Sequence, residues 1–311
     1  MKNKEIIIQV SEGLGNQLFM YAHGFSLSKK LGYKVSIDSK NGFNRRKNLL
    51  RKHQQYLLDR FTLGSQVIKD NTIINNYFNN TYKKFMLFLD KYKKRKSFYI
   101  ENQKKINGYK IINQMTEVDS YNLADKIYVI GNFENQDYFK KHRYELIKNL
   151  TIKDRYLNLN NSLINKLQNS NSVSIHIRRD RFSDQKGFNS TKLIEESKNF
   201  TNKNIDYINN ATKYFNKNTN NPQFFIWTNN IYEIEEFTKK LNISNYTIVN
   251  SDSAINDFHL FKFSKHFIVG PSTFHWWGAW LNQNNNKICV RPSEMNPSNN
   301  LNFWPDEWIE I

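Results

Sequence analysis

Residues 172–182 read Ser172-Val173-Ser174-Ile175-His176-Ile177-Arg178-Arg179-Asp180-Arg181-Phe182. Val173, Ile175 and Ile177 alternate with Ser174 and His176, the period of a strand buried on at least one face. The strand runs straight into Arg178 and Arg179. Open α/β sheets bind ligands just beyond the carboxyl ends of their strands. Paired guanidinium groups there suit a diphosphate, because arginine is permanently charged and grips two oxygens at once. Taken alone, the same residues also fit a strand end flanked by solvated charges, since basic residues are common on loops.

Outward from this strand the chain keeps a β-α rhythm. Strands are expected at 173–177, 224–227, 246–249, 266–269 and 287–290, with helices at 207–215, 231–241, 254–263 and 274–281. Strands separated by helical patterns of about ten residues imply a parallel sheet. The other end of the chain opens on a strand at 6–10, a glycine-bearing turn, and a helix marked by Leu18, Tyr21, Ala22 and Phe25. That helix should stop near Leu31, with Lys29 and Lys30 in its last turn and Gly32 beyond. Strands at 33–38 and 126–131, a helix at 137–149 and a crossover around 158–171 complete the expected layout. Two domains follow, 1–150 and 151–311.

The formal charge of +18 favours polyanions, anionic membrane surfaces or nucleotide-linked substrates. Part of it reflects a drift toward Lys, Asn, Ile and Tyr along the whole chain. The basic residues are spread out and no DNA- or RNA-binding motif occurs, so specific nucleic-acid binding is not expected. Residues 82–98 place Phe85, Phe88, Leu89 and Tyr92 on one helical stripe among lysines. Such a segment can lie on an anionic membrane, although an ordinary surface helix is the preferred reading. The single cysteine, Cys289, sits in an apolar run and excludes an internal disulfide. With a polar start leading directly into a strand, and no apolar run of about 18 residues, a soluble cytoplasmic protein is expected.

Two strand-to-helix turns can carry chemistry. Gly13-Leu14-Gly15-Asn16-Gln17 lets backbone N–H groups approach a ligand, yet it matches neither the dinucleotide fingerprint nor a Walker loop. Gly270-Pro271-Ser272-Thr273-Phe274 offers either a plain helix cap or an anion site at free N–H groups. Trp276, Trp277 and Trp280 follow, and core packing is preferred for them over ligand stacking. No Asp-x-Asp pair occurs, so the usual carboxylate clamp for Mg²⁺ or Mn²⁺ on a diphosphate is missing. Zinc spacing is absent too.

These blocks resemble the bacterial α-1,2-fucosyltransferases of glycosyltransferase family 11. The resemblance lies in 13–22, in the His176-Ile177-Arg178-Arg179 block, and in 265–281 with Ser272-Thr273-Phe274-His275-Trp276-Trp277. It covers nearly the whole chain and is weak over 40–125. It implies a GT-B fold, α/β, with two Rossmann-like domains facing a cleft, the first on the acceptor side and the second binding the GDP-sugar. It further implies GDP-β-L-fucose as donor, inversion at the anomeric carbon, no metal or other cofactor, and an oligosaccharide or lipid-linked glycan as acceptor. In that scheme Arg178 pairs with the β-phosphate, beside Arg179, and His176 contacts the donor. Ser272, Thr273 and Phe274 hold the diphosphate, and Gly15 and Asn16 close over the donor. Asp257 reads the guanine edge, and Asn229 occupies the family's turn after the 224–227 strand.

Two departures stand out. Asp180-Arg181 replaces the Gly-Asp that commonly follows the paired arginines, and Glu12 stands where glycine is frequent. A carboxylate at Glu12 can serve as general base on the acceptor hydroxyl, although a solvated loop residue is the simpler reading. A glycosyltransferase of the same fold using another nucleotide sugar, or a sugar-nucleotide-binding module without catalysis, are the alternatives.

Overall fold

The computed structural model of the protein describes residues 4–43, 55–68, 96–102, 124–177, 191–228, 234–249, 253–298 and 300–311. Among these, two compact units are distinct. The first runs to Thr151 and takes in Ser298–Phe303; the second spans Ile152–Pro297 and ends with Trp304–Ile311.

The first unit is built on a parallel sheet of β1 (Glu5–Gln9), β2 (Lys34–Asp38), β3 (Gln66–Ile68), β4 (Lys96–Asn102) and β5 (Ala124–Ile130), in the order β3-β2-β1-β5-β4. Ile6, Ile7 and Ile8 are all fully buried, as a central parallel strand covered on both faces requires. Helix α1 (Leu14–Leu31) follows β1 and is buried along most of its length, so it is a core helix rather than a surface one. It stops where expected. Gly32 adopts φ 68°, ψ 31°, and the chain past it bonds back to the Ser28 carbonyl. Among the carboxyl ends of this sheet, the Asp38 carboxylate is saturated. It accepts from the Lys40 and Asn41 backbone N–H groups at 3.0 Å, from Asn41 Nδ2 at 2.7 Å and from the Tyr128 hydroxyl. That arrangement fixes the 38–41 turn.

Several expectations are corrected here. Residues 96–98, read as the end of a helix, open strand β4, and 82–95 lie outside the described residues. The 137–149 helix is two short 3₁₀ turns followed by α2 (Arg143–Asn149). The first turn is bound early, by Asn135 accepting from the Asp137 N–H, which leaves a break before α2.

The second unit carries a parallel sheet of six strands in the order β11-β10-β9-β6-β7-β8. They are β6 (Asn171–Ile177), β7 (Pro222–Thr228), β8 (Tyr246–Val249), β9 (His266–Ile268), β10 (Cys289–Arg291) and β11 (Ile309–Glu310). Between them lie α3 (Asn161–Asn169), α4 (Thr191–Asn218), α5 (Ile234–Thr238), α6 (Ala254–Leu260) and α7 (Thr273–Leu281). The crossover expected at 158–171 therefore contains a helix, capped by Asn160 accepting from the Leu163 N–H at 3.0 Å. Helix α4 starts sixteen residues before the expected Tyr207. The strand expected at 287–290 is β10, beginning at Cys289, and β11 at Ile309–Glu310 was not expected. Among the described residues no helix is long and apolar enough to cross a membrane.

Strand β6 is buried on both faces. Val173, Ile175 and Ile177 join a core with Ile208, Ala211 and Phe215 of α4. On the other face Ser172 and Ser174 are fully buried and bonded. Tyr207 of α4 reaches across the sheet edge, its hydroxyl 2.9 Å from the carbonyls of both Val269 and Val290. Burial pushes this hydroxyl well above its usual pKa, so it stays a donor. Tyr207→Phe leaves the Val269 carbonyl without that donor just before the Gly270 turn. Chemical denaturation should show a loss of about 1–2 kcal/mol at unchanged m-value; an unshifted midpoint would remove this hydroxyl from the stability account.

Candidate active site

Strand β6 is the switch point of the second sheet: β7 lies on one side and β9 on the other, and later strands extend away from each. Ligands of open α/β sheets sit at the carboxyl ends there. The turn after β9 lies directly against the end of β6, since a Cβ on Gly270 would come within 2.9 Å of the His176 carbonyl oxygen. Glycine is what allows that approach.

Ser272 is the N-cap of α7 and only 4% exposed, but its hydroxyl makes no capping bond. The first bond of the helix runs from the Trp276 N–H to the Ser272 carbonyl. The N–H groups of Thr273, Phe274 and His275 thus have no acceptor within the helix. Plain capping, one of the two readings of this turn, is not what the hydroxyl does. What remains is a row of N–H dipoles at the start of α7, following the turn that lies against the end of β6, the arrangement that attracts anions.

Aromatic rings floor this region. His176 lies 5.5 Å from Phe274 and 5.6 Å from His275, and Phe258 of α6 is 5.6 Å from Phe274. Asp257, one residue before Phe258, is half-buried on the same short helix. Its helix is capped by Ser253 Oγ, which accepts from the Asn256 N–H at 3.3 Å.

His275 was not singled out from the sequence, and it links the elements. It is fully buried, with Nε2 3.1 Å from Ser174 Oγ on β6 and Nδ1 without a partner. Burial, and then the neighbouring His176, hold it well below its usual pKa, so it is neutral. The tautomer with its proton on Nε2 donates to Ser174 and leaves only a lone pair unmet at Nδ1, which costs less than a stranded N–H. Burial also lowers His266, and brings His259 down to about 4. In the unfolded chain these imidazoles take up protons near pH 6.5, and in the folded state they do not. Their stabilising contribution is complete above pH 6.5 and lost as pH falls through that value. Each contributes a slope of up to about 1.4 kcal/mol per pH unit. Urea midpoints should fall from pH 7.5 to 5.5, and less steeply in His275→Asn; an identical slope would show that this histidine does not titrate between the two states.

Trp276 and Trp277 are fully buried and Trp280 is 3% exposed. Trp276 stacks on Trp280 at 5.9 Å and meets Trp308 at 5.6 Å. They are core, not a ligand platform. Cys289 is likewise buried, its thiol pushed up to about 12 by burial.

In the first unit, Glu12 sits at φ 65°, a left-handed conformation natural to glycine. Its carboxylate accepts from Asn16 Nδ2, and its carbonyl from Gln17 Nε2 at 2.8 Å. Gln17 also donates to the Gln55 carbonyl at 2.8 Å and accepts from the Leu57 N–H at 2.9 Å, so one buried amide ties the loop to the 55–57 segment. Glu12, Gly15 and Asn16 are brought together at the carboxyl end of β1. In the second unit His176, Ser272, Thr273 and Phe274 meet, with Asp257 on the adjoining helix. Arg178, Arg179 and Asn229 lie outside the described residues. The strand ends that lead to them, Ile177 and Thr228, are register partners. Among the described residues no group of three or more His, Cys, Asp or Glu is placed to hold a metal ion.

Two α/β units, one with an anion-attracting helix end at its switch point, define a GT-B protein. The family model described as Glycosyl transferase family 11 matches residues 5–311, and the chain belongs to that family. An Alpha-1,2-colitosyltransferase from Escherichia coli is 25% identical over 98% of both chains. The O-antigen biosynthesis glycosyltransferase WbnK from Escherichia coli is 27% identical over 97% of this chain and 99% of its own. Among solved structures, a variant of Arabidopsis thaliana FUT1 in complex with GDP matches with a TM-score of 0.54. It covers 94% of this chain and 71% of that chain at 12% identity, a likeness of fold.

Proposed function

We propose that this glycosyltransferase moves L-fucose from GDP-β-L-fucose, with inversion and without a metal, to a hydroxyl of a surface-glycan acceptor, O2 of galactose. The observation that carries the reading is the uncapped first turn of α7 against the end of β6, one residue before Arg178. The acceptor oxygen attacks the anomeric carbon as the bond to GDP breaks, and the electron pair leaves on the β-phosphate oxygen. Arg178 and the N–H groups of Thr273 and Phe274 take up that charge, each preorganised donor being worth about 3–4 kcal/mol in the transition state. Glu12 is the assigned acceptor of the hydroxyl proton, held in place by Asn16. The Escherichia coli colitosyltransferase, similar over nearly the full length, supports a second reading in which colitose is the sugar transferred.

The test is incubation with GDP-fucose, GDP-colitose and GDP-mannose against galactose-terminated acceptors, followed by mass spectrometry and linkage analysis. An α-1,2-linked fucose is expected, at a rate unaffected by EDTA. Transfer only from GDP-colitose would select the second donor. EDTA inhibition reversed by Mn²⁺ would overturn the metal-free mechanism, and no transfer from any of the three would overturn the reading altogether.

A further inference from the structure

At the opposite, amino-terminal edge of the first sheet lies a cavity of about 810 Å³. The five residues of β1 separate it from the Gly13–Asn16 loop by about 17 Å, so it is no part of the donor region. The strand register sets its floor. Glu5 opens β1 between Lys34 of β2 and Lys126 of β5. Glu5 is already engaged: its carboxylate accepts from Ser36 Oγ and pairs with Lys126 at 3.4 Å. The other carboxylate in the lining, Glu145, lies 3.6 Å from His142.

Four exposed lysines in this lining, Lys4, Lys29, Lys34 and Lys148, make no ion pair among the described residues. Three of them sit over aromatic faces instead. Lys148 is 4.4 Å from the Tyr144 ring, Lys4 5.3 Å from Tyr33 and Lys29 5.4 Å from Phe25. Lys29 and Lys148 also complement the carboxyl ends of α1 and α2, which leaves Lys34 with neither a helix end nor a ring to account for it. Tyr144 is 69% exposed, an unusual amount of ring to leave in water beside a cavity. Several lysines lining one cavity from α1, β2 and α2 suit the oxygens of a phosphate better than one planar carboxylate. The aromatic walls offer contact to whatever carries it.

We propose that this cavity binds a phosphate group borne on a partly apolar molecule, with Lys29, Lys34 and Lys148 on the phosphate and Tyr144 against its carrier. The chemistry is common to an anionic lipid headgroup and to a soluble phosphate ester. The inference stands apart from the donor site and does not depend on it.

The full chain is tested in two arms. One is cosedimentation with phosphatidylcholine vesicles containing about one-third phosphatidylglycerol; the other is calorimetric titration with inorganic pyrophosphate. Lys34→Ala/Lys148→Ala is compared with Lys213→Ala/Lys217→Ala, an equal charge change on the exposed face of α4. The cavity pair should weaken vesicle binding about 30-fold, roughly fivefold per lysine, while the control pair changes it by no more than about twofold. Loss confined to the vesicle arm identifies a lipid headgroup, and loss confined to pyrophosphate identifies a soluble ester. Equal losses in both pairs would mean that net charge alone is responsible and would overturn the site. So would binding of neither probe, or undiminished binding by the cavity pair. All four lysines are exposed, and unchanged thermal unfolding of both variants is the control for folding.

Discussion

Arg178→Ala should lower kcat by about 100- to 1,000-fold at an unchanged unfolding midpoint. The reasoning starts from what must be stabilised. Expelling GDP places a new negative charge on a phosphate oxygen, and the proposed metal-free mechanism meets it with fixed dipoles and guanidinium groups. In that proposal the dipoles are those of the α7 helix end at Thr273 and Phe274. Arg178 is the first residue after the buried end of β6 and the nearest permanent charge in sequence to that switch point. Because the charge develops as the bond breaks, the loss should fall on kcat more than on KM. Arg178→Lys keeps the charge without the two-pronged grip, and should recover only part of the rate. Near-normal turnover by Arg178→Ala in single-turnover assays would sink the mechanism.

On the proposal that Asp257 reads the guanine edge, Asp257→Asn should weaken GDP binding by about 100-fold, through loss of two charge-assisted hydrogen bonds. The signature is in the base. The wild-type enzyme should prefer GDP to IDP, which lacks the 2-amino group, and the variant should lose much of that preference. Half-exposed on α6, with a Ser253 cap holding its helix and Phe258 next to it against Phe274, Asp257 has the support a recognition residue needs. Titration of both nucleotides into both proteins decides the matter; a retained GDP preference in Asp257→Asn would assign guanine reading elsewhere.

The legible parts of this fold were those where local chemistry and burial agree. The stop of α1 was marked by Lys29, Lys30 and Gly32, and the left-handed residue falls on Gly32. Strand β6 showed a clean alternation, although its polar members proved as buried as its apolar ones, because Ser172 and Ser174 bond inward. Helix α3 was hidden by asparagines around Leu163, Ile164 and Leu167, three residues at helical spacing that would have revealed it. The first half of α4 has few apolar residues and joins the core mainly from Ile205 onward. Strand β4 was misread because the lysines ahead of it sit among aromatics at helical spacing, a pattern that says nothing about where the sheet begins. Of the site, the glycine turn and the Ser272 turn were visible from residue types alone. The His275–Ser174 link was not, since 101 residues separate its partners.

The return of Ser298–Phe303 to the first unit has a practical consequence. Phe303 is fully buried, its ring 6.1 Å from Phe19, and Ser298 Oγ donates to Glu134. A chimera that took everything after Ile152 from a cousin would therefore import a foreign plug into the home half. A swap of the second unit between relatives keeps the first unit's own packing only if these six residues stay with the recipient, stitched into the incoming tail.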